Sequence, residues 1–360
     1  MEINTLKNSY IILIPSLSRG GAESMAYQYG EHLKKKGHIV KYLLIEDRID
    51  SKYRSVNYEL IESKSIISSI RKFKKLKLDK DVIFISLIPL YTIAFLISRW
   101  LSFKFHSKVI YTVHNNVDKD FGMGFINRVI KFIYKKLLMN SGNVYSVSND
   151  LNKQLINHGI NSNVLINKSN HVFLPVNREP GSVLEILMVG RIAEQKDYMK
   201  SLEYLCALQS IGVDFLVNIY GEGPLQPDIE YEAELLGLSD KIIFNGYEPD
   251  IEGVIANNRF NILLLTSKYE GFGLVLIEAL SKCIFPIARN CDFGPEEIIK
   301  NRVGALLPYD FSKADVQHTY QQYLEWANEC SEFQHEKCFE VFNEYQKMSS
   351  KSWSNLELHR

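Results

Sequence analysis

The side chains that could do chemistry concentrate in residues 267–297, S-K-Y-E-G-F-G-L-V-L-I-E-A-L-S-K-C-I-F-P-I-A-R-N-C-D-F-G-P-E-E. Two glutamates, Glu270 and Glu278, flank a glycine-rich turn, Gly271-Phe272-Gly273-Leu274. A turn of this kind that opens a helix presents free backbone N–H groups and a positive dipole end, which suits a phosphate. A carboxylate can accept two O–H donors, which suits the diol of a ribose. Glu278 lies about two helical turns beyond Glu270, at ~3.6 residues per turn. Together these groups could hold a nucleoside diphosphate. Upstream, G-R-I-A-E-Q-K sets Arg191 and Lys196 just after an apolar run. Two cations at the C-terminal end of a strand can neutralise a diphosphate.

The elements that must position these residues are legible around them. Residues 261–265 form an apolar run that reads as a buried strand, and Leu274, Ile277, Ala279 and Leu280 follow along a helix. At the other end of the chain, residues 10–15 (Y-I-I-L-I-P) read as a parallel strand covered on both faces. Gly20-Gly21-Ala22-Glu23 follows, then Met25, Ala26, Tyr29 and Leu33 at helical spacing, and Gly37 as a stop. Strand, glycine turn and helix make the first unit of a doubly wound sheet, and the two glycines permit close approach of a ligand. Further strands are expected at 39–45, 58–61, 82–87, 108–113 and 143–147. His114 ends one of them, at the sheet edge where open α/β sheets bind ligands, and could donate to a sugar hydroxyl or a phosphate. Residues 174–182, with two prolines and a glycine, read as a linker. A second α/β unit begins at 183–189 and continues with strands at 215–221 and 241–246. From residue 312 the chain is helix-rich, with Trp353 in a polar tail. The expected division is thus 1–176, 183–345 and a tail at 346–360.

Composition bounds the rest. A chain of 360 residues with 46% hydrophobic content can build two or three globular domains. Its net charge of zero hides a split. Residues 1–176 carry 26 Lys and Arg against 13 Asp and Glu, and residues 177–360 carry 16 against 29. A basic half beside an acidic half suggests that one of them meets an anionic surface. Residues 71–80 (R-K-F-K-K-L-K-L-D-K) and 128–136 (R-V-I-K-F-I-Y-K-K) mix cations with aromatic and aliphatic residues, a pattern suited to an anionic membrane surface. Five cysteines without a C-x-x-C pair read as reduced thiols of a cytosolic protein, and the polar N-terminus does not read as a signal peptide. Residues 82–101 have the length of a membrane span, but Ser86, Pro89, Ser98 and Arg99 interrupt them, so a strand followed by a helix is expected.

The E-G-F-G-L turn, the E-A-L-S helix, the D-F-G-P-E-E-I-I segment and the G-R-x-x-x-x-K loop resemble the donor-site motifs of retaining glycosyltransferases of family GT4. The resemblance covers nearly the whole chain and is strongest over residues 182–299. It implies the GT-B fold: two Rossmann-like doubly wound α/β domains facing across a cleft, with a C-terminal helix crossing back to the N-terminal domain. The basic domain would bind the acceptor and the acidic one the donor. It further implies that Glu270 orients the donor sugar and Glu278 the ribose. Arg191, Lys196 and the amides of Gly271, Phe272, Gly273 and Leu274 would stabilise the departing diphosphate. Gly20 and Gly21 would face the donor phosphates, and His114 would touch the sugar. The implied reaction moves a hexose or N-acetylhexosamine from a nucleotide-diphosphate sugar to a lipid-linked or saccharide acceptor in cell-surface polysaccharide synthesis. It would occur at the inner face of the plasma membrane, with no nucleic acid as partner.

Other classes leave weaker traces. Asp79-Lys80-Asp81 and Asp118-Lys119-Asp120 fit the Asp-x-Asp metal motif of a competing transferase class. The first precedes a strand instead of ending one, and Arg191 and Lys196 already offer the counter-charge. No metal and no cofactor are therefore expected. Zinc-type Cys/His clusters, G-K-[ST] and G-x-S-x-G are absent from the sequence. A sugar-nucleotide epimerase of the same fold, or a non-catalytic nucleotide-sugar-binding subunit, remain as alternatives.

Overall fold

The structure, a computed structural model, describes residues 8–18, 21–76, 81–101, 108–118, 124–169, 171–176, 182–299 and 303–354. The chain divides into two units, with the boundary between Lys168 and Ser169.

In the first unit strands and helices alternate: β1 (Ser9–Ile14), α1 (Gly21–Lys35), β2 (Ile39–Leu44), β3 (Tyr58–Leu60), α2 (Ile66–Lys75), β4 (Ile83–Ser86), α3 (Pro89–Trp100), β5 (Lys108–Val113), α4 (Phe125–Met139), β6 (Val144–Ser146), α5 (Asn149–Asn157) and β7 (Asn163–Val164). The strands run parallel in the order β3-β2-β1-β4-β5-β6-β7. Burial on both faces explains the unbroken apolar runs, because helices cover both sides of a parallel sheet. Ile11 and Leu13 of β1 and Phe84 of β4 share one core with Phe73 of α2 and Phe95 of α3. The helices carry their own signals. α1 has Glu23 in its first turn and His32, Lys34 and Lys35 in its last, matching the dipole at each end. In α2 the side chains of Ser65 and Ser68 cap each other's backbone N–H groups. The stretch 82–101 is β4 and α3, with Pro89 as the first helical residue, where its missing N–H costs nothing. Among the described residues no helix is long and apolar enough to cross a membrane.

The second unit repeats the plan: β8 (Leu184–Val189), α6 (Tyr198–Ser210), β9 (Phe215–Tyr220), α7 (Gln226–Leu235), β10 (Ile242–Gly246), α8 (Ile251–Asn257), β11 (Ile262–Leu265), α9 (Leu274–Leu280), β12 (Phe285–Arg289), α10 (Pro295–Ile299), β13 (Ala305–Leu307), α11 (Lys313–Ala327) and α12 (Ser331–Ser354). Its parallel sheet has the order β10-β9-β8-β11-β12-β13. Strand order reverses between β1 and β4 in one unit and between β8 and β11 in the other. Loops that leave neighbouring strands in opposite directions open a crevice at such a switch point.

Two boundaries differ from the sequence reading. Residues 171–176, assigned by the sequence reading to the first domain with a linker starting at 174, belong to the second unit. Phe173 packs on Phe339 and Phe342 of α12, and the Leu174 N–H donates to the Ser281 carbonyl at 3.0 Å. Residues 177–181 of that stretch lie outside the described residues. The polar segment around Trp353, read as a tail, is helical up to Ser354. It is the last part of α12, and Trp353 is only 1% exposed. Buried Ser349 and Ser352 extend the buried stripe that Cys338, Val341, Phe342 and Tyr345 form along this helix.

Candidate functional site

The two loops at the switch point of the second sheet meet through charge. After β8, Gly190 takes φ +146°, and a Cβ there would stand 2.9 Å from Cε of Lys196, so only glycine leaves room for that side chain. The Tyr198 hydroxyl donates to the Gly190 carbonyl at 2.9 Å and fixes the turn from the other side. A single 3₁₀ turn, Glu194–Lys196, then presents Lys196. Its Nζ donates to Oε1 of Glu270 at 2.7 Å. Glu270 follows β11, is 6% exposed, and also accepts from the Ser267 hydroxyl at 2.6 Å. Its own N–H donates to the Asp292 carbonyl at 3.1 Å, and the Tyr269–Asp292 bridge ties the same turn to the D-F-G-P segment. A buried carboxylate needs a partner of this kind, because an unpaired charge of that depth would be strongly destabilising.

Behind Lys196 stands a brace that sequence reasoning missed. Asp197 sits in the left-handed region at φ +50° and starts α6. Arg289, at the end of β12 and 4% exposed, donates through Nη1 to Asp197 Oδ2 at 2.7 Å and through Nε to the Tyr309 carbonyl at 2.6 Å. Its guanidinium lies 3.7 Å from the Tyr309 ring centroid. Thr266 adds a hydroxyl to the Asp197 carbonyl at 3.1 Å. The Lys196 turn is thus held from two strands of the sheet. These residues are 92 positions apart in Arg289–Asp197 and 74 in Lys196–Glu270, so no local pattern announces them.

Glu278 stands on α9 with a side chain 20% exposed. Burial raises its pKa above the ordinary carboxylate value, while the charges of His171 and Lys196 pull it back. His171 lies between two carboxylates, with Nε2 3.7 Å from Glu278 and Nδ1 3.7 Å from Glu252. Lys282, 1% exposed, reaches Glu252 at 3.3 Å and the Val172 carbonyl at 3.2 Å. His171, Glu252 and Lys282 were not singled out from the sequence. Of the turn itself, Gly273 takes φ +84° at the N-cap of α9. Phe272 does not line an open site. It is 3% exposed and packs on Tyr345, so only its backbone is available. Gly271 is buried, and Leu274 is the first, half-buried residue of α9. Arg191 is exposed and makes no ion pair among the described residues. Cys291 lies close by, but burial, aided by the Glu270 charge, pushes its thiol up to about 12, so it remains protonated and a poor nucleophile.

The first unit places a different set at the ends of its strands. His114 follows β5, and burial lowers its pKa to about 4, so the imidazole is neutral at pH 7. Its Nε2 is 3.1 Å from the Thr112 hydroxyl, which itself donates to the Ser86 carbonyl at 3.1 Å. The only proton of Thr112 is therefore committed, and the network assigns the remaining bond to a His114 Nε2–H donor. That leaves Nδ1 as an acceptor, suited to a hydroxyl and not to a phosphate. Gly21 begins α1 with nothing within 4 Å of its Cβ position, whereas Gly20 lies outside the described residues. Asp118 is engaged by Lys135 at 2.8 Å, Lys131 at 3.2 Å and His158 at 3.0 Å. Burial opposes its charge, yet the two lysines hold its pKa down at about 2. Asp79, Lys80, Lys119 and Asp120 lie outside the described residues, and Asp81 is exposed. Among the described residues no group of three or more His, Cys, Asp or Glu could hold a metal ion.

Residues 173–336 match the family described as glycosyl transferases group 1. The chain is 29% identical over 179 residues to lipopolysaccharide 1,6-galactosyltransferase of Escherichia coli K12, a match covering 45% of this chain and 46% of that protein. Its matches to the curated relatives span less than half of their length. Among solved structures, the lipopolysaccharide outer core galactosyltransferase WaaB in its apo form superposes with a TM-score of 0.71, at 18% identity, over 97% of this chain and 98% of that one. HepE of Anabaena, solved with UDP-glucose, superposes with a TM-score of 0.71 at 13% identity, over 97% and 96% of the two chains. These likenesses give the fold of the whole chain, and the sequence match is confined to its second unit. Over residues 173–336 the chain is similar to the group 1 glycosyl transferases, and over its whole length it has the two Rossmann-like domains of the GT-B fold.

Proposed function

We propose that this protein is a retaining glycosyltransferase of bacterial surface-polysaccharide synthesis. It moves a hexose or N-acetylhexosamine from a nucleotide-diphosphate sugar to a lipid-linked or saccharide acceptor. The observation that carries the reading is the Lys196–Glu270 pair at the switch point of the second sheet, with Glu278 on the helix that follows. Lys196 has three N–H donors and Glu270 takes one of them. A diphosphate oxygen can take another, so one ammonium serves both the sugar-side carboxylate and the leaving group. Arg191, exposed beside it, is free to swing onto the second phosphate. Glu278, when ionised, accepts from the ribose hydroxyls. His114 Nδ1 accepts from a sugar hydroxyl. Charge developing on the departing diphosphate is then met by fixed cations and amides, and this preorganisation is the main source of rate. The counter-charge comes from the protein, so turnover should withstand a chelator.

The basic first unit supports a further element, attachment to an anionic membrane where a lipid-linked acceptor resides, at the cytoplasmic face.

The test is a screen of UDP- and GDP-sugars. A ligand at ~100 times its Kd adds roughly 2.7 kcal/mol and raises the melting temperature. Sugar release or transfer from the stabilising donor, with anomeric configuration read by NMR, then checks the reaction. A change in the sugar nucleotide without release of the sugar would point to an epimerase. Binding with neither reaction would point to a non-catalytic subunit.

A further inference from the structure

Glu278 is an unfinished acceptor. Only 20% of its side chain is exposed, yet it accepts no hydrogen bond from any described residue. His171 faces it, with Nε2 3.7 Å from Oε1 of Glu278, too long for a hydrogen bond. The other ring nitrogen, Nδ1, is buried without a hydrogen-bond partner and stands 3.7 Å from Oε1 of Glu252 on α8. Buried polar groups are paired as a rule, so two that stop just short of each other call for a reason. Looseness of the chain is not that reason, because the ring is firmly mounted. The His171 N–H donates to the Ser169 hydroxyl at 3.2 Å, and Gln346 of α12 donates to the Ser169 carbonyl at 3.4 Å. Lys282, buried just past α9, donates to the Val172 carbonyl at 3.2 Å and to Glu252 at 3.3 Å. One lysine thus ties the main chain beside His171 to the carboxylate that faces its Nδ1.

We infer that His171 is a positioning residue for the nucleotide: set between Glu252 and Glu278, its ring takes one oxygen of Glu278 and leaves the other aimed at the ribose hydroxyls of the donor. A carboxylate that accepts nothing can rotate about its last side-chain bond, whereas one oxygen tied down fixes the direction of the other. Lys196, the other cation whose charge reaches Glu278, already donates to Glu270 at 2.7 Å. The orienting role therefore falls to the histidine. Nε2 donates to Glu278 when it carries a proton, and Glu252 accepts from Nδ1 when that nitrogen carries one. The ring is held by the same two carboxylates in either case. The gap of 3.7 Å closes to hydrogen-bond length as the ribose engages the second oxygen, since bonds that are long in a free site tighten in its complex. The inference rests on the proposed reading of Glu278 as the ribose acceptor and adds what aims it.

Calorimetry of the full chain with UDP and GDP, each beside its 2′,3′-dideoxy analogue, isolates this role. The parent should bind the better of the two nucleotides about tenfold more tightly than its dideoxy analogue, the loss expected on removing charge-assisted bonds. His171→Ala should bind the intact nucleotide about fivefold more weakly, the worth of one ordinary hydrogen bond, and the dideoxy analogue as the parent does. His171→Gln, which keeps an N–H donor on its side chain, should recover part of that ratio. A loss shared equally by nucleotide and analogue would mean that His171 only packs the second unit, and it would overturn the inference, as would a ratio unchanged in His171→Ala. Glu252→Gln covers the case in which His171→Ala melts below the assay temperature, because Glu252 is only half-buried. It should narrow the ratio about twofold, a fraction of one hydrogen bond, and no change there would equally overturn the inference. Glu278→Ala separates this inference from the reading beneath it. A ratio lost in Glu278→Ala but kept in His171→Ala overturns the positioning role alone. A ratio kept in Glu278→Ala, or a parent that binds neither nucleotide, overturns both.

Discussion

The two units share one sheet order yet carry opposite chemistry at the ends of their strands. In the second unit the loops after β8 and β11 and the end of β12 hold Lys196, Glu270, Asp197 and Arg289 as two ion pairs, each with one buried partner. In the first, Ser86 at the end of β4, Thr112 near the end of β5 and a neutral His114 just after it are joined by hydroxyl and carbonyl bonds. The net charges run the other way, +13 for residues 1–176 and −13 for residues 177–360. The acidic half thus gathers ion pairs at its strand ends, and the basic half has neutral groups at the ends of β4 and β5. Fold repetition fixes where a site can form. The side chains at the strand ends decide whether it suits an anion or a hydroxyl.

The comparison breaks most sharply at Arg289. Arg289→Ala leaves the Asp197 carboxylate and the Tyr309 carbonyl without their donor, and losing one member of a buried pair costs about 3–5 kcal/mol. The melting temperature should fall by roughly 10 °C. The surviving fold should also show a weaker donor KM, because the Lys196 turn is no longer braced. Arg289→Lys should recover part of the stability only, since an ammonium cannot bridge both acceptors or stack on Tyr309. An Arg289→Ala protein with parental melting and donor KM would remove the brace.

Next in size is the cation itself. A charged hydrogen bond is worth about 1.5–3 kcal/mol. Lys196→Ala should therefore lower turnover roughly ten- to hundredfold by the usual conversion, with the fold kept. The glutamates should then separate. Glu278→Ala should weaken binding of the free nucleotide about tenfold, whereas Glu270→Ala should spare nucleotide binding and lose transfer, as charge-assisted bonds of that strength imply. Calorimetry with UDP or GDP decides, and equal losses in both variants contradict the division of labour.

Acidity sharpens the same contrast. Burial raises the Glu278 pKa above the ordinary carboxylate value. Its protonated form is favoured in the folded protein, so its contribution to stability falls as pH rises from the unfolded pKa through the raised folded one. Nucleotide affinity should move oppositely. It should drop on acidification at a pH above the ordinary carboxylate range, because a protonated Glu278 accepts fewer ribose hydroxyls. Glu278→Gln should flatten that profile, and a pH dependence unchanged in Glu278→Gln would place the titration elsewhere.

How much of this could be read from residues alone follows from the range of the forces involved. Parallel strands such as β1, β5 and β11 are continuous apolar runs and were legible because both faces are buried. β12 was not, because Pro286 and Arg289 break its apolar run, although it sits between β11 and β13. β7 and β13 have two and three residues, too few for any period. Glu270, Glu278 and Lys196 were legible as motif members. Arg289, Ser267 and His171 were not, since each acts through a contact the chain makes only when folded. The lysine-rich segments show the reverse case: composition announced them, and the fold then engaged Lys131 and Lys135 with Asp118.

The smallest expected effect lies in the neutral site. His114 has a pKa of about 4 against a reference value of 6.5. Between those values the unfolded chain binds the extra proton and the folded one does not, so stability should decline as pH falls through that window. Above it the imidazole stays neutral, with its proton on Nε2 held by Thr112. Removing the hydroxyl in Thr112→Val costs about 1 kcal/mol, the usual value of one hydrogen bond. That loss also frees the ring to adopt the other tautomer. The His114 ring protons in an NMR titration should not move between about pH 8 and 5.5, the range in which an ordinary histidine changes charge. In Thr112→Val the ring nitrogen shifts should become those of a tautomer mixture, with donor KM raised a few-fold and acceptor KM unchanged. A His114 that titrates near its ordinary value would mean a solvated, chargeable imidazole, and the first sheet edge would then suit an anion just as the second does.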